Sequence, residues 1–234
     1  MKRGIFVHSG NAPTDSGWAQ FRKSSDFVVV KCGSRAPDVA MERNLAGAKK
    51  HGFKTSLLWY IDGRFDAKEQ AITALATVKD VDPTAILWVD FEVNKIYTPT
   101  YAQLKDFFGV FTAKSPRLLG IYTNENTWGT LAKNSTEFSA HPLWIAAWRR
   151  EDSPPDPTKL FGGWKDWVIW QQADGKDGYP YTTEFCQDWW VQPTTQDIAA
   201  DFIDIKAEIE RIKSQIIPLV DRIDALLAVL RGMQ

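Results

Sequence analysis

The stretch Ala85-Ile86-Leu87-Trp88-Val89-Asp90-Phe91-Glu92-Val93 constrains this chain more than any other. It opens as an apolar run of strand formers with no polar alternation, the pattern of a strand buried on both faces. It closes on two carboxylates, Asp90 and Glu92. Side chains at i and i+2 of a strand project from the same face, so the two acids fall side by side at the strand's C-terminal end. Withdrawing two carboxylates from water is costly. Either the strand end reaches solvent and both acids are hydrated, or they are held there for chemistry. Paired carboxylates are the working parts of glycosidic-bond hydrolysis.

The chain supplies further segments of the same kind. Residues 5–7, 26–32, 55–61, 118–123, 143–148, 167–172 and 185–190 read as strands, eight with the acid-bearing one. Between the early strands, 40–51, 66–78, 100–111 and 125–132 read as helices. Asp66 is placed to cap the second of these, with Ala71, Leu75 and Val78 on its inner face, and Leu104, Phe107, Phe108 and Phe111 form the buried stripe of the third. Gly10 to Gly17, with Asn11, Pro13, Asp15 and Ser16, reads as a loop, as does 151–157. Strands alternating with helices imply an α/β fold, an irregular (β/α) TIM-like barrel. No clear helices separate the last three strands, so helices are incomplete on that side. Chemistry in such a barrel gathers at the C-terminal strand ends. Asp90, Glu92, Tyr122, Trp148, Gln171 and Asp188 all fall near those ends, and Lys31 and Tyr60 end their own strands.

Composition removes several classes of function. The formal net charge of -1 leaves no excess of basic groups to neutralise phosphates, which argues against a nucleic-acid partner. No run is apolar and long enough for a membrane span, and Met1 to Ser9 holds no apolar core of a signal peptide. Cys32 and Cys186 lie far apart and belong to no Cys-x-x-Cys or Cys/His cluster, so no zinc site is visible and no metal or cofactor is expected. Two free thiols or a single disulfide remain open. Most of the 11 tryptophans read as core aromatics, but flat indoles with one donor also suit a groove that stacks on sugar rings.

From Asp197 the texture changes. Ile198, Phe202, Ile205, Ile209, Ile212, Ile216, Leu219, Ile223, Leu226 and Leu230 recur in alternating steps of four and three, with charged residues between. This is a heptad seam, narrower than the face of a helix docking on a globular body. It predicts a barrel over 1–192 and a C-terminal α-helical coiled-coil segment over 193–234. Pro218 either kinks one helix or begins a second. Val220, Leu227 and Val229 widen the apolar face beyond it, which implies a homo-oligomer or a partner protein.

The strand ending in Asp90-x-Glu92, then Gly120-Ile121-Tyr122-Thr123, Leu143-Trp144-Ile145-Ala146, Trp170-Gln171 and Asp188, occur in an order that resembles glycoside hydrolase family 25. The similarity runs from about Gly4 to Trp190. The family comprises lysozyme-type muramidases of phage endolysins, bacteria and fungi. The resemblance implies an irregular α/β barrel that cleaves the β-1,4 bond between N-acetylmuramic acid and N-acetylglucosamine in peptidoglycan glycan strands. It implies Glu92 as general acid, with its pKa raised by burial and by a neighbouring carboxylate. Asp90 becomes its charged partner, which stabilises positive charge on the sugar or orients the 2-acetamido group that acts as nucleophile. Asp188 matches a late aspartate of the site and Tyr122 a tyrosine on the strand after the acids. Trp148, Trp170, Gln171, Tyr60 and Lys31 are the remaining candidates for substrate contact.

One departure stands out. The family opens Gly-Ile-Asp-Val-Ser, with an active-site aspartate on the first strand. Here the stretch is Gly4-Ile5-Phe6-Val7-His8, which puts Phe6 in the aspartate's place and His8 in the serine's. His8 is therefore a further candidate for the groove. Three readings follow: a muramidase, in the manner of a phage or prophage endolysin; a barrel that binds wall glycan without turnover; and a structural module assembled through its heptad segment. The expected route is synthesis in the cytoplasm followed by release to the cell wall.

Overall fold

A computed structural model of the chain describes residues 2–94, 96–148, 155–173, 187–190 and 216. Eight strands form one closed barrel: β1 (Lys2–Val7), β2 (Phe27–Gly33), β3 (Lys54–Tyr60), β4 (Leu87–Asp90), β5 (Leu119–Thr123), β6 (Leu143–Ala146), β7 (Ile169–Ala173) and β8 (Gln187–Trp190). The first seven pair in chain order and all are parallel. Helices α1 (Asp15–Phe21), α2 (Met41–Lys50), α3 (Ala67–Val78), α4 (Tyr101–Thr112) and α5 (Glu125–Leu131) follow the first five strands. Between β6 and β7 the described residues hold a single 3-10 turn, Pro157–Lys159.

Two features differ from the sequence reading. The segment taken as a loop up to Gly17 turns into α1 at Asp15. Thr14 caps it by accepting the Gly17 amide on its hydroxyl at 3.2 Å, and Trp18 and Phe21 bury one face. Residues that mark turns are also those that begin helices, since both use a side chain to satisfy exposed amides. The second difference is direction. β8 runs antiparallel to both β7 and β1 and closes the barrel between them.

The strands sort their side chains into two cores. Val7, Val28, Val30, Leu57, Trp59, Leu87, Val89, Leu119 and Ile121 face outward under the helices. Phe27, Val29, Leu58, Trp88, Tyr122, Trp144 and Ile169 fill the barrel interior. Large interior rings need small neighbours. A Cβ on Gly4 would lie 2.2 Å from the Phe27 ring, and one on Gly120 would lie 2.4 Å from Trp88. The Trp88 indole then donates to Ser56 Oγ at 3.1 Å, which satisfies its one polar atom.

The chain divides into two units, Met1–Val191 and Gln192–Gln234. The heptad positions lie outside the described residues apart from Ile216, which is helical. Cys186 lies outside them too. Cys32 is a buried thiol that donates to the Leu58 carbonyl at 3.1 Å, and burial pushes its pKa upward.

Candidate active site

Strand parity carries interior side chains to the barrel's open end. Lys31 lies on β2, Tyr60 ends β3, Asp90 ends β4, and Tyr122 and Gln171 lie near the ends of β5 and β7. Tyr60 and Tyr122 are the register neighbours of Asp90 on its two sides. β4 proper ends at Asp90, yet the Phe91 amide still donates to the Tyr122 carbonyl at 3.0 Å, and Phe91 buries itself in the outer core. The alternation therefore persists for two more residues, and Glu92 returns to the side of Asp90.

Asp90 is 9% exposed, and its Oδ1 has no hydrogen-bond partner among the described residues. Burial pushes this carboxyl well above the usual aspartate range; the charge of Glu92 adds to the rise and the ammonium of Lys31 opposes it. Glu92 is half-buried. Burial raises its carboxyl as well, and the Asn124 and Tyr122 side chains beside it hold the rise back. The Asn124 bond is explicit, from Nδ2 to Glu92 Oε1 at 3.1 Å. Glu92 is raised as expected, but Asp90 is raised more strongly, because it sits deeper and faces its neighbour's charge. Two acids in this relation titrate as a pair and hold one proton between them over a wide pH range.

The rim around the pair is hydrogen-bonded and aromatic. Tyr122 donates its hydroxyl to Gln171 Oε1 at 2.8 Å, and the Trp148 indole donates to the same oxygen at 3.0 Å. Gln171 thus fixes both. Trp148, placed in a strand by the sequence reading, lies beyond the end of β6 and is 60% exposed, a flat face at the rim. Burial and the nearby Asp90 charge push the Tyr60 phenol upward, and its hydroxyl lacks a partner among the described residues. Lys31 Nζ stands 5.9 Å from the Tyr60 ring centroid.

Three other candidates separate. Trp170 does not join the site. It is 1% exposed in the outer core, with its indole donating to the Ala147 carbonyl at 2.8 Å, because its neighbour Gln171 takes the inward position. Phe6 occupies the interior, with its ring edge-on to Trp144 at 6.2 Å and tilted against His8 at 5.7 Å. His8 is half-buried, and its Nδ1 accepts the Gly10 amide at 2.9 Å. Asp188 is the second residue of β8, in register with Gln171 and Gly4. It reaches the level of Gln171 through the reversed run of its strand, and not as a C-terminal strand end.

The sequence reading passed over Asn124 and Tyr97. Asn124 had a signal. It caps α5 by accepting the Thr127 amide at 2.8 Å, and the same side chain turns its amide donor to Glu92. Tyr97 had none; it reaches the rim through the long β4–α4 connection and packs edge-on to Tyr60 at 5.7 Å. Among the described residues no group of three or more His, Cys, Asp or Glu is placed to hold a metal ion. Among them also, no helix is long and apolar enough to cross a membrane.

The fold is shared with solved structures at low sequence identity. A muramidase from Acremonium alcalophilum superposes with a TM-score of 0.69 at 20% identity, over 84% of this chain and 96% of that one. A family GH25 lysozyme from Aspergillus fumigatus gives 0.68 at 22% identity, over 83% and 96%. The catalytic domain of endolysin ply40 from bacteriophage P40 of Listeria monocytogenes gives 0.64 at 16% identity, over 82% and 94%. No curated protein sequence matches the chain at a significant level. The model of the glycosyl hydrolases family 25 matches residues 7–177, from the end of β1 through β7, and includes the acid-bearing rim up to Gln171. This chain belongs to glycosyl hydrolases family 25.

Proposed function

We propose that this protein is a muramidase that hydrolyses the β-1,4 bond between N-acetylmuramic acid and N-acetylglucosamine in peptidoglycan, in the manner of a phage or prophage endolysin. Family membership and the likeness to muramidases and an endolysin support the reading. The observation that carries it is the acid pair, two carboxyls at the open end of the barrel with raised pKa values, one of them keeping an unmet acceptor oxygen.

Glu92 is the general acid. It is the more accessible of the two, so a glycosidic oxygen can reach it, and a raised pKa keeps it protonated until the bond breaks. Lys31 opposes part of the rise at Asp90; in the reactive state the one proton of the pair stands on Glu92 and the negative charge on Asp90. An anionic Asp90 with a free acceptor suits the N–H of the substrate's 2-acetamido group. That bond aims the acetamide oxygen at the anomeric carbon as its bond to the leaving oxygen breaks, and the carboxylate balances the positive charge that develops. Asp188 serves as a further acid of the site. Tyr122, Gln171, Trp148, Tyr60, Lys31 and His8 line the groove. The C-terminal segment joins copies of the chain or binds a partner, and the protein reaches the wall after release from the cytoplasm.

A second reading has one observation in its favour. Phe6 fills the interior where the family resemblance places an acid, so the barrel could bind wall glycan with little turnover. Incubation with purified peptidoglycan, followed by analysis of soluble products for new reducing ends, separates the two. Muramic-acid ends from the wild type and none from Glu92→Gln are expected. N-acetylglucosamine ends would move the cleaved bond. Wall binding without products would favour the second reading and make Phe6→Asp the variant to assay next.

A further inference from the structure

Outward of Tyr60 the rim carries a group of residues that the acid pair does not use. Tyr97 packs against Tyr60, and Arg64 lies over the Tyr97 ring at 4.7 Å and near the Phe65 ring at 5.5 Å. Arg35 lies over Phe65 at 4.5 Å. The connections after β2, β3 and β4 thus bring two guanidinium groups and two rings into one series that begins beside the register neighbour of Asp90.

The series is fixed from beneath. Asp62, 5% exposed, accepts Arg64 Nε at 2.9 Å and Nη2 at 2.6 Å. The buried Gln70 accepts the Asp62 amide at 2.9 Å and donates to the carbonyls of Asp62 and Phe65 at 2.9 and 3.2 Å. Gln103, from α4, donates to the carbonyls of Gly63 and Phe65 at 3.0 and 3.1 Å. The Gly63 amide donates to the Tyr97 carbonyl at 2.9 Å, and a Cβ on Gly63 would lie 2.2 Å from the Thr98 carbonyl oxygen. The loops meet backbone to backbone, so Arg64, Phe65 and Tyr97 are ordered before any ligand arrives.

The charges here do not cancel. Asp62 neutralises Arg64. Arg35 is exposed, and no carboxylate among the described residues forms an ion pair with it. This excess positive charge stands on a chain whose formal net charge is -1. A guanidinium laid on a ring face is oriented by it: Arg35 keeps its N–H edge for a planar or tetrahedral anion, while Arg64, whose Nε and Nη2 are held by Asp62, offers its Nη1 side.

We propose that Arg35 and Arg64, on the Phe65 and Tyr97 platform, form a subsite for an anionic substituent of the glycan, a carboxylate or a phosphate group. The inference rests on the muramidase reading for its polymer and assigns the wall of the groove that reads charge. Cell-wall glycan offers such groups from two sources, the carboxylates of its stem peptides and the phosphodiesters of attached polymers.

The test measures binding in the Glu92→Gln background, where no substrate is consumed, to three preparations: intact wall, wall stripped of phosphodiester polymers, and glycan strands freed of stem peptides. Tighter binding by about tenfold to the preparation that keeps the recognised group is expected, the worth of one charge-assisted contact. Added Arg35→Gln should reduce that preference to within about twofold, and Arg35→Lys should restore part of it. Loss on removing stem peptides names the carboxylate; loss on removing the phosphodiester polymer names the phosphate. Equal binding to all three, binding to none, or a preference that survives Arg35→Gln overturns the inference. Cleavage of wall by the parent protein is read separately from reducing ends. Charge-dependent binding without cleavage keeps this subsite and removes the muramidase; cleavage without charge preference does the reverse.

Discussion

Two buried ionisable groups sit at opposite ends of the barrel and are treated in opposite ways. Arg117, 7% exposed, lies at the end where β4 and β5 begin. It donates to four backbone carbonyls, those of Asp82 at 2.6 Å, Ala85 at 2.7 Å, Val78 at 3.0 Å and Val81 at 2.9 Å. Asp90, at the end where β4 stops, keeps a buried oxygen with no partner among the described residues and a neighbour of like charge. The first arrangement spends a charge on holding α3 to the strands that follow it. The second leaves an acceptor and a shared proton unspent, which is stability given up for chemistry. What separates structure from function here is whether the buried group is satisfied.

Substitutions can break that contrast. The largest expected effect is Glu92→Gln, which removes the transferable proton while keeping the shape. Cleavage of peptidoglycan should fall at least about 10²-fold, the scale of one general acid, with thermal unfolding near that of the parent protein. Unfolding at a much lower temperature would mean that the acid is structural.

Arg117→Met should do the opposite. Four carbonyls lose their donor together, so chemical denaturation should show a loss of about 3 kcal/mol, while activity per folded molecule holds. A loss under about 1 kcal/mol would show that water replaces the guanidinium and that satisfaction is not what holds this end together.

Asp90→Asn should raise stability near neutral pH. The carboxyl titrates higher in the folded protein than in the unfolded chain, so the unfolded chain releases its proton first as pH rises. Stability from this group is full below the ordinary aspartate pKa of about 3.9 and is lost as pH climbs from there through the folded-state value. Asn does not titrate, so the variant should gain about 1–2 kcal/mol at neutral pH, show a flatter pH profile, and lose cleavage. A stability difference between Asp90→Asn and the parent that does not grow over that range would contradict the raised carboxyl.

The smallest effect sharpens the comparison by separating location from satisfaction. Thr100 lies at the same end as the acids, yet its polar atoms are met: its hydroxyl accepts the Gln103 amide at 3.2 Å, and Gln103 Oε1 accepts the Thr100 amide at 2.8 Å. Thr100→Ala should cost about 1 kcal/mol with cleavage unchanged.

Much of this was legible in the chain itself. The apolar runs placed the strands, and the i, i+2 rule placed Asp90 and Glu92 on one side even though β4 ends between them. The stripe Leu104, Phe107, Phe108 and Phe111 is the buried face of α4. Parity also sorts Trp170 from Gln171. If Gln171 faces inward, Trp170 must face outward, and it does. Helix α1 was hidden because Thr14, Asp15 and Gly17 serve a turn and a helix start equally well.

The sequence by itself determined what is settled within a few residues: periodicity, the paired acids, and the caps at Asp66 and Thr100. These depend on neighbours along one backbone, and those are written in order. Tertiary structure alone decided what depends on segments far apart. It reversed β8 and so brought Asp188 level with Gln171, turned the Asn124 amide onto Glu92, and stacked Arg35 and Arg64 against a shared ring. Each of these requires that the barrel close and the loops meet in register, and no local pattern encodes a distance across a closed sheet.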